Sequence, residues 1–202
     1  MPYYVDNTDL DFPLEWDFEP DFPMSDYRPF LKGEPLNSAQ VDSFPEKIVV
    51  TNRKNPQEMP GVIANGADIG IVNAEVKAYL EKHDPGLHRY FPLSVHLVGT
   101  KHHLEYFYFY SDNHIDSICY EKTVFLKGTG KEAAKKSAFF MEESIDGDIE
   151  CYLYKDRVGE CSVWRNPIAD SPFCIFFSDE FVAFLKSRNI RGWELYKCKW
   201  EK

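Results

Sequence analysis

The sequence predicts an α+β fold, a mostly antiparallel sheet with two similar strand–helix–strand units and few helices. Three observations predict it. Two strand–helix–strand segments align 105 residues apart, pairing Asn73 with Ser178, Val76 with Phe181, Tyr79 with Phe184, Leu80 with Leu185 and Phe91 with Tyr196. Residues 104–110 alternate tyrosine and phenylalanine, so both faces of one strand are aromatic and the strand is expected to be central. Short apolar runs elsewhere are separated by turn-forming clusters, the pattern of hairpins.

Taken in order, residues 1–30 form an acidic, aromatic N-terminal arm. Eight acids stand between Met1 and Asp26, and no Lys or Arg appears before Arg28. Phe12, Trp16, Phe18 and Phe22 interleave with them, and Pro13, Pro20 and Pro23 keep the segment extended. Pro2–Val5 reads as an edge strand, and the arm's rings are expected to dock on the body. Residues 31–66 carry Gly33, Pro35, Pro45, Pro56, Pro60 and Gly61 and are expected to be loop-rich.

Asp68–Val72 is the next strand. Asn73 caps a helix whose inner face is Val76, Tyr79, Leu80 and His83, with Glu75 and Lys82 placed as the helix dipole prefers. Asp84-Pro85-Gly86 ends that helix, and Leu87–Val98 resumes as a strand. Residues 104–119 are expected to form a hairpin turning at Ser111–His114 and returning through Ile115–Tyr120. Lys127–Lys136 is basic and begins a short helix or loop. Ile149–Tyr154 and Glu160–Trp164 are expected to form a second hairpin around Asp156–Gly159. Phe173–Phe177 is a strand, Ser178 an N-cap, and Phe181, Phe184, Leu185 and Arg188 a helix face. Asn189 takes the left-handed turn, and Trp193–Trp200 closes as a strand.

With 202 residues, 44% hydrophobic and 16% aromatic, the chain has material for one core, and a single domain spanning 1–202 is expected. No run of about 18 apolar residues exists, so no membrane span is expected. Met1–Asp11 has neither a basic start nor an apolar segment, so a cytoplasmic location is expected. Cys119, Cys151, Cys161, Cys174 and Cys198 are odd in number and show no C-x-x-C spacing, which disfavours disulfides and a zinc site. The net charge of −10, from 33 acids against 23 bases, repels a phosphate backbone and favours a basic protein partner.

A family resemblance rests on three blocks. Ile69–Leu80 followed by Pro85–Leu93 is similar to the first block of the eleventh family of bacterial polymorphic-toxin immunity proteins, formerly a domain of unknown function. Ile115-Asp116-Ser117-Ile118-Cys119-Tyr120-Glu121-Lys122-Thr123 resembles its aspartate-bearing second block. Cys174–Ser178, Asp179–Arg188 and Gly192–Trp200 resemble the third. The chain departs from the family pattern near Asp116, where Cys119 and Tyr120 stand in place of a polar aspartate–tryptophan pairing. The resemblance implies an immunity protein, or antitoxin. Such a protein binds and neutralises a toxin secreted for bacterial competition, often a nuclease, without catalysis or cofactor.

The chemical alternatives are weaker on their residues. His102, His103 and His114 flank the expected hairpin and could serve a small cytosolic enzyme or a metal-binding protein, but adjacent histidines in a strand face opposite ways. Gly128-Thr129-Gly130-Lys131 lacks the spacing of a phosphate loop. No G-x-S-x-G occurs, and the cysteines lie in apolar surroundings. No catalytic, cofactor or metal residues are therefore assigned.

The expected partner-binding set is Asp9, Asp11, Glu15, Trp16, Asp17, Phe18, Glu19, Asp21 and Phe22 of the arm, with His114 and Asp116. The carboxylates would plug a basic nuclease groove and the rings would anchor it. The same charges also fit a solvated segment that docks on its own body. A non-inhibitory adaptor subunit is the remaining binding reading, and the aromatic strand suits a homo-oligomer as well as a heterocomplex.

Overall fold

The computed structural model of the chain describes residues 1–6, 14–18, 44–64, 70–125, 150–167 and 175–201. The elements through the middle of the chain are β1 (Tyr3–Asp6), β2 (Trp16–Phe18), β3 (Lys47–Val50), a 3-10 turn (Pro56–Glu58), β4 (Val62–Ala64), β5 (Gly70–Asn73), α1 (Ala74–His83), β6 (His88–Leu97) and β7 (His103–Ser111). They are followed by β8 (Tyr152–Tyr154), α2 (Lys155–Val158), β9 (Val163–Arg165), β10 (Ile175–Phe177), α3 (Asp179–Ser187), β11 (Glu194–Lys197) and β12 (Lys199–Glu201).

The local signals are met where they stand. The Asn73 side chain accepts from the Val76 amide at 2.9 Å and Ser178 Oγ from the Phe181 amide at 3.1 Å, so each helix begins on its expected cap. Gly86, at φ +76°, and Asn189, at φ +52°, take left-handed turns where the two helices end.

Pairing builds a six-stranded sheet in the order β2-β3-β6-β7-β5-β4, a four-stranded sheet β11-β1-β10-β9 and a two-stranded pair β12-β8. Among the described residues only β3–β6 and β12–β8 run parallel. The architecture is α+β with a largely antiparallel sheet, as expected.

The repeat in the sequence corresponds to a repeat in topology. In one unit β5 and β6 flank β7, and in the other β10 and β11 flank β1, every pairing being antiparallel. The two helices face each other. Tyr79 stacks on Phe184, its counterpart in the alignment, with centroids 4.1 Å apart, and Glu75 at the start of α1 pairs with Arg188 past the end of α3 at 3.0 Å.

β7 is buried on both faces. Tyr106, Tyr108 and Tyr110 join one core cluster with Ile48, Val50 and Val95, while Phe107 and Phe109 join another with Val76, Leu80, Phe177 and Phe181. Tyr106 and Tyr108 donate their phenols to the Pro60 and Pro45 carbonyls at 2.5 and 2.9 Å, so these rings serve the core. The second cluster also takes Val5 and Ile175, and so is shared by the two larger sheets. A third cluster gathers Trp164, Phe176, Ile118, Leu153 and Cys198.

Four pairings differ from the sequence expectation, each for a non-local reason. β1 is interior, paired with β10 on one side and β11 on the other. The long hairpin is β6–β7, in register from His88↔Ser111 to His96↔His103, because β5 already occupies the other edge of β7. Residues 115–120 therefore have no edge of β7 to return to, and this connection makes bridges to Arg165 and Leu153 instead. β8 and β9 enter different sheets, since residues 155–158 wind into α2 and Gly159, at φ +65°, ends that turn. The final strand divides at buried Cys198, whose amide donates to the Pro2 carbonyl at 2.8 Å, into β11 and β12.

Candidate partner-binding surface

The part of the acidic arm within the described residues is 14–18. Its alternation is that of a half-buried strand: Leu14, Trp16 and Phe18 pack on the tyrosine-lined core, and Glu15 and Asp17 are exposed. The two rings meet edge to face with centroids 5.0 Å apart. The Thr51 amide donates to the Glu15 carbonyl at 3.0 Å, and the Glu15 amide to Asn52 Oδ1 at 3.1 Å, which fixes the start of β2. Trp16 and Phe18 thus hold the strand on its own sheet and leave the carboxylates outward. Asp9, Asp11, Glu19, Asp21 and Phe22 lie outside the described residues, as do Lys127–Lys136, with its Gly-Thr-Gly-Lys run, and Cys174.

The register carries these carboxylates onto a wider face. Asp17 stands opposite Val49, Val49 opposite His96, and His96 opposite His103. The neighbouring row runs Lys47, Ser94, Glu105. All of these residues point away from the tyrosine core, and Asp17, His103 and Glu105 are exposed. The His96 and His103 rings lie 4.7 Å apart.

Several acids elsewhere are answered by cations of the same chain, while Glu58, Asp156, Glu160, Glu180 and Glu194 make no ion pair among the described residues. Asp112 takes Arg89 at 2.6 Å, Glu81 takes Lys77 at 2.8 Å, Glu201 takes Lys122 at 2.7 Å, and Asp179 takes the Met1 amine at 2.8 Å. Among the described residues Glu15, Asp17, Glu46 and Glu105 make no ion pair. The outer part of the β2-β3-β6-β7 sheet therefore presents exposed carboxylates that make no ion pair, with Lys47 in the same row as Glu105.

His114 and Asp116 lie elsewhere. His114 bridges to Arg165 beside the Tyr110 ring, which the Arg165 guanidinium overlies at 4.2 Å. Burial, with Arg165 adding to it, holds the His114 pKa below its ordinary value. Asp116 is engaged by Arg157, which donates to its carbonyl at 2.9 Å and approaches its carboxylate at 3.7 Å.

The strand between them sets the distance. His103 opens β7 and Ser111 closes it, so these two residues sit about 27 Å apart at roughly 3.4 Å per residue, and His114 lies only three residues beyond the far end. Residues 14–18 of the arm and the His114–Asp116 segment are not one small site, and His102, His103 and His114 cannot share one ion. Among the described residues no group of three His, Cys, Asp or Glu side chains is placed to hold a metal.

A buried charge cluster escaped the sequence reading. The Asp84 carboxylate, in a side chain 1% exposed, accepts from the Ser162 amide at 2.9 Å and the Val163 amide at 3.0 Å, and lies 3.1 Å from His88 Nε2. It ties the end of α1 to the start of β9. Burial pushes its pKa up, but the His88 contact and the two amides outweigh this and hold it below the ordinary carboxylate value. The one local signal was an acid followed by histidine at i+4 across a helix stop, which reads equally well as a turn. The pKa of nearby Cys161 is pushed up to about 11, chiefly by burial, so its thiol is protonated at neutral pH.

Residues 5–200 match the family model described as Immunity protein family (Imm11). No curated protein matches the chain. Among the described residues no helix is long and apolar enough to cross a membrane.

Proposed function

The chain belongs to the Imm11 immunity protein family, and from that membership we propose that it neutralises a cognate bacterial toxin by occluding a basic surface, most simply the phosphate-holding groove of a nuclease effector. The observation that supports the reading is the set of exposed carboxylates Glu15, Asp17, Glu46 and Glu105 on the β2-β3-β6-β7 sheet, none of which makes an ion pair among the described residues. A nuclease must hold phosphates with Lys and Arg, and carboxylates that lack cations of their own are complementary to such a groove. Binding takes place in the cytoplasm of the producing cell, and the protein supplies no catalysis or cofactor.

Glu15 and Asp17 are the steering carboxylates, joined by Asp9, Asp11, Glu19 and Asp21 of the same arm, with Phe22 as a further anchor. Trp16 and Phe18 set the strand from which the charges project. His114 and Asp116 form a second, more distant contact for a large partner.

Replacing Glu15 and Asp17 together by lysine tests the role of charge. The double variant should associate with the toxin roughly tenfold more slowly at low salt, with a smaller difference at high salt and little change in dissociation rate. Stopped-flow binding at two ionic strengths reads this directly. An unchanged association rate would place the contact elsewhere.

A further inference from the structure

His96 and His103 stand directly opposite each other on β6 and β7. Their neighbours Val95, Leu97 and Leu104 belong to the tyrosine-lined core, so both imidazoles point to the other face of the sheet. The Leu97 amide donates to the His102 carbonyl at 3.3 Å, which makes Leu97 and His102 a hydrogen-bonded pair of the ladder. The next pair, His96 and His103, is therefore of the non-hydrogen-bonded kind, in which Cα atoms come within about 4.5 Å and side chains lie closest. The two rings have centroids 4.7 Å apart and planes 35° apart. His103 is exposed and His96 half-buried, and His96 Nδ1 is buried without a hydrogen-bond partner.

That spacing suits a shared ion. An imidazole nitrogen lies about 1.1 Å from its ring centre and a first-row transition ion about 2.1 Å from the nitrogen, so an ion bound by both rings is roughly 3.2 Å from each centroid. Ligand angles of about 90° to 109° then put the centroids about 4.5 to 5.2 Å apart. The observed 4.7 Å lies within that range. Both nitrogens of a ring are equally far from its centroid, and the χ2 angle of histidine is broad, so each ring can direct a nitrogen at the shared point without backbone movement. An ion on His96 Nδ1 would also satisfy that buried atom. Glu105, two residues along β7 on the same face, and Asp17, two strands from His96, are exposed and make no ion pair among the described residues. Lys47 stands in the Glu105 row, so the rings rather than the surrounding charge supply the affinity.

We propose that His96 and His103 form a binding site for one divalent first-row transition ion (zinc, nickel or copper), with water completing its coordination. Imidazole suits these ions, whereas magnesium and calcium take oxygen ligands. Two side chains hold the ion where a closed structural site uses four, so it is exchangeable and keeps open positions on the exposed side. His102 alternates to the other face and His114 lies beyond the far end of β7, so neither takes part. The site is independent of the immunity reading, because it holds its ion whether or not this face meets a toxin.

The test uses the untagged full chain. Zinc chloride is titrated in, with magnesium chloride as the control, and the ring signals of His96, His102 and His103 are followed by NMR. Zinc should give saturable shifts at His96 and His103 with one ion per chain, and magnesium should give none. His103→Gln, at an exposed position, should weaken zinc binding about tenfold or more, as should His96→Gln, while His102→Gln should leave it unchanged. With copper(II), electron paramagnetic resonance should show two coordinated nitrogens in the native chain and one in His103→Gln. No saturable shift up to about 1 mM zinc would overturn the site and leave the pair as a simple ring contact. Undiminished binding by His103→Gln, loss of binding in His102→Gln, the same shifts from magnesium, or a single nitrogen in the native spectrum would overturn it as well.

Discussion

Replacing Asp84 by alanine is expected to lower stability by about 3–5 kcal/mol, because it strands two buried amides and a buried histidine that the carboxylate now satisfies. In a chain of this size that corresponds to a fall in melting temperature of roughly 10 °C. The effect also has a pH signature. The folded pKa of Asp84 is depressed, so its contribution is fully present above the unfolded carboxylate value of about 3.9 and is lost as pH falls through the lower folded value. The gap between the native protein and Asp84→Ala should be constant near neutral pH and narrow below about pH 4. Denaturant unfolding at several pH values checks it. A gap that stays constant into that acid range would mean the charge contributes nothing.

Trp164→Ala is the second large effect, at about 3–5 kcal/mol. The ring is fully buried, stacks between Phe176 at 5.7 Å and Trp200 at 6.4 Å, and donates Nε1–H to Ser117 Oγ at 2.9 Å. Truncation leaves a cavity and an unpartnered hydroxyl together. Trp164 is remote in sequence from the six-stranded sheet, but its strand is tied to α1 through Asp84 and Val163. Both sheets should therefore lose structure in one transition, seen as coincident near- and far-UV circular dichroism curves. A variant whose two curves separate would show that the four-stranded part unfolds alone.

What the sequence makes legible is local. Asn73 and Ser178 cap their helices because a short side-chain oxygen is needed at that point and at no other, and the alternating rings of 104–110 carry their own period. Strand partners are not local. Nothing in Tyr3–Asp6 says that the strand lies between β10 and β11, and nothing in 115–120 says that β5 has already taken the edge it would use. Asp156–Gly159 looked like a tight turn because a turn and a single helical turn share residue types.

The candidate surface divides the same way. The excess of carboxylates in the arm was visible in the composition, and so was the alternation that turns Glu15 and Asp17 outward. That Trp16 and Phe18 face the chain's own core depends on β3, some thirty residues away. The His96–His103 pair and the Asp84 cluster depend on where strands end and meet, and a one-dimensional pattern holds no record of either.

The central claim is protection by direct binding. Cells expressing the proposed cognate toxin are grown with and without this protein, and a tagged copy of the protein is purified from the surviving culture. The account predicts restored growth and a stoichiometric complex with the toxin. Soluble protein that neither restores growth nor retains a confirmed active toxin would contradict it.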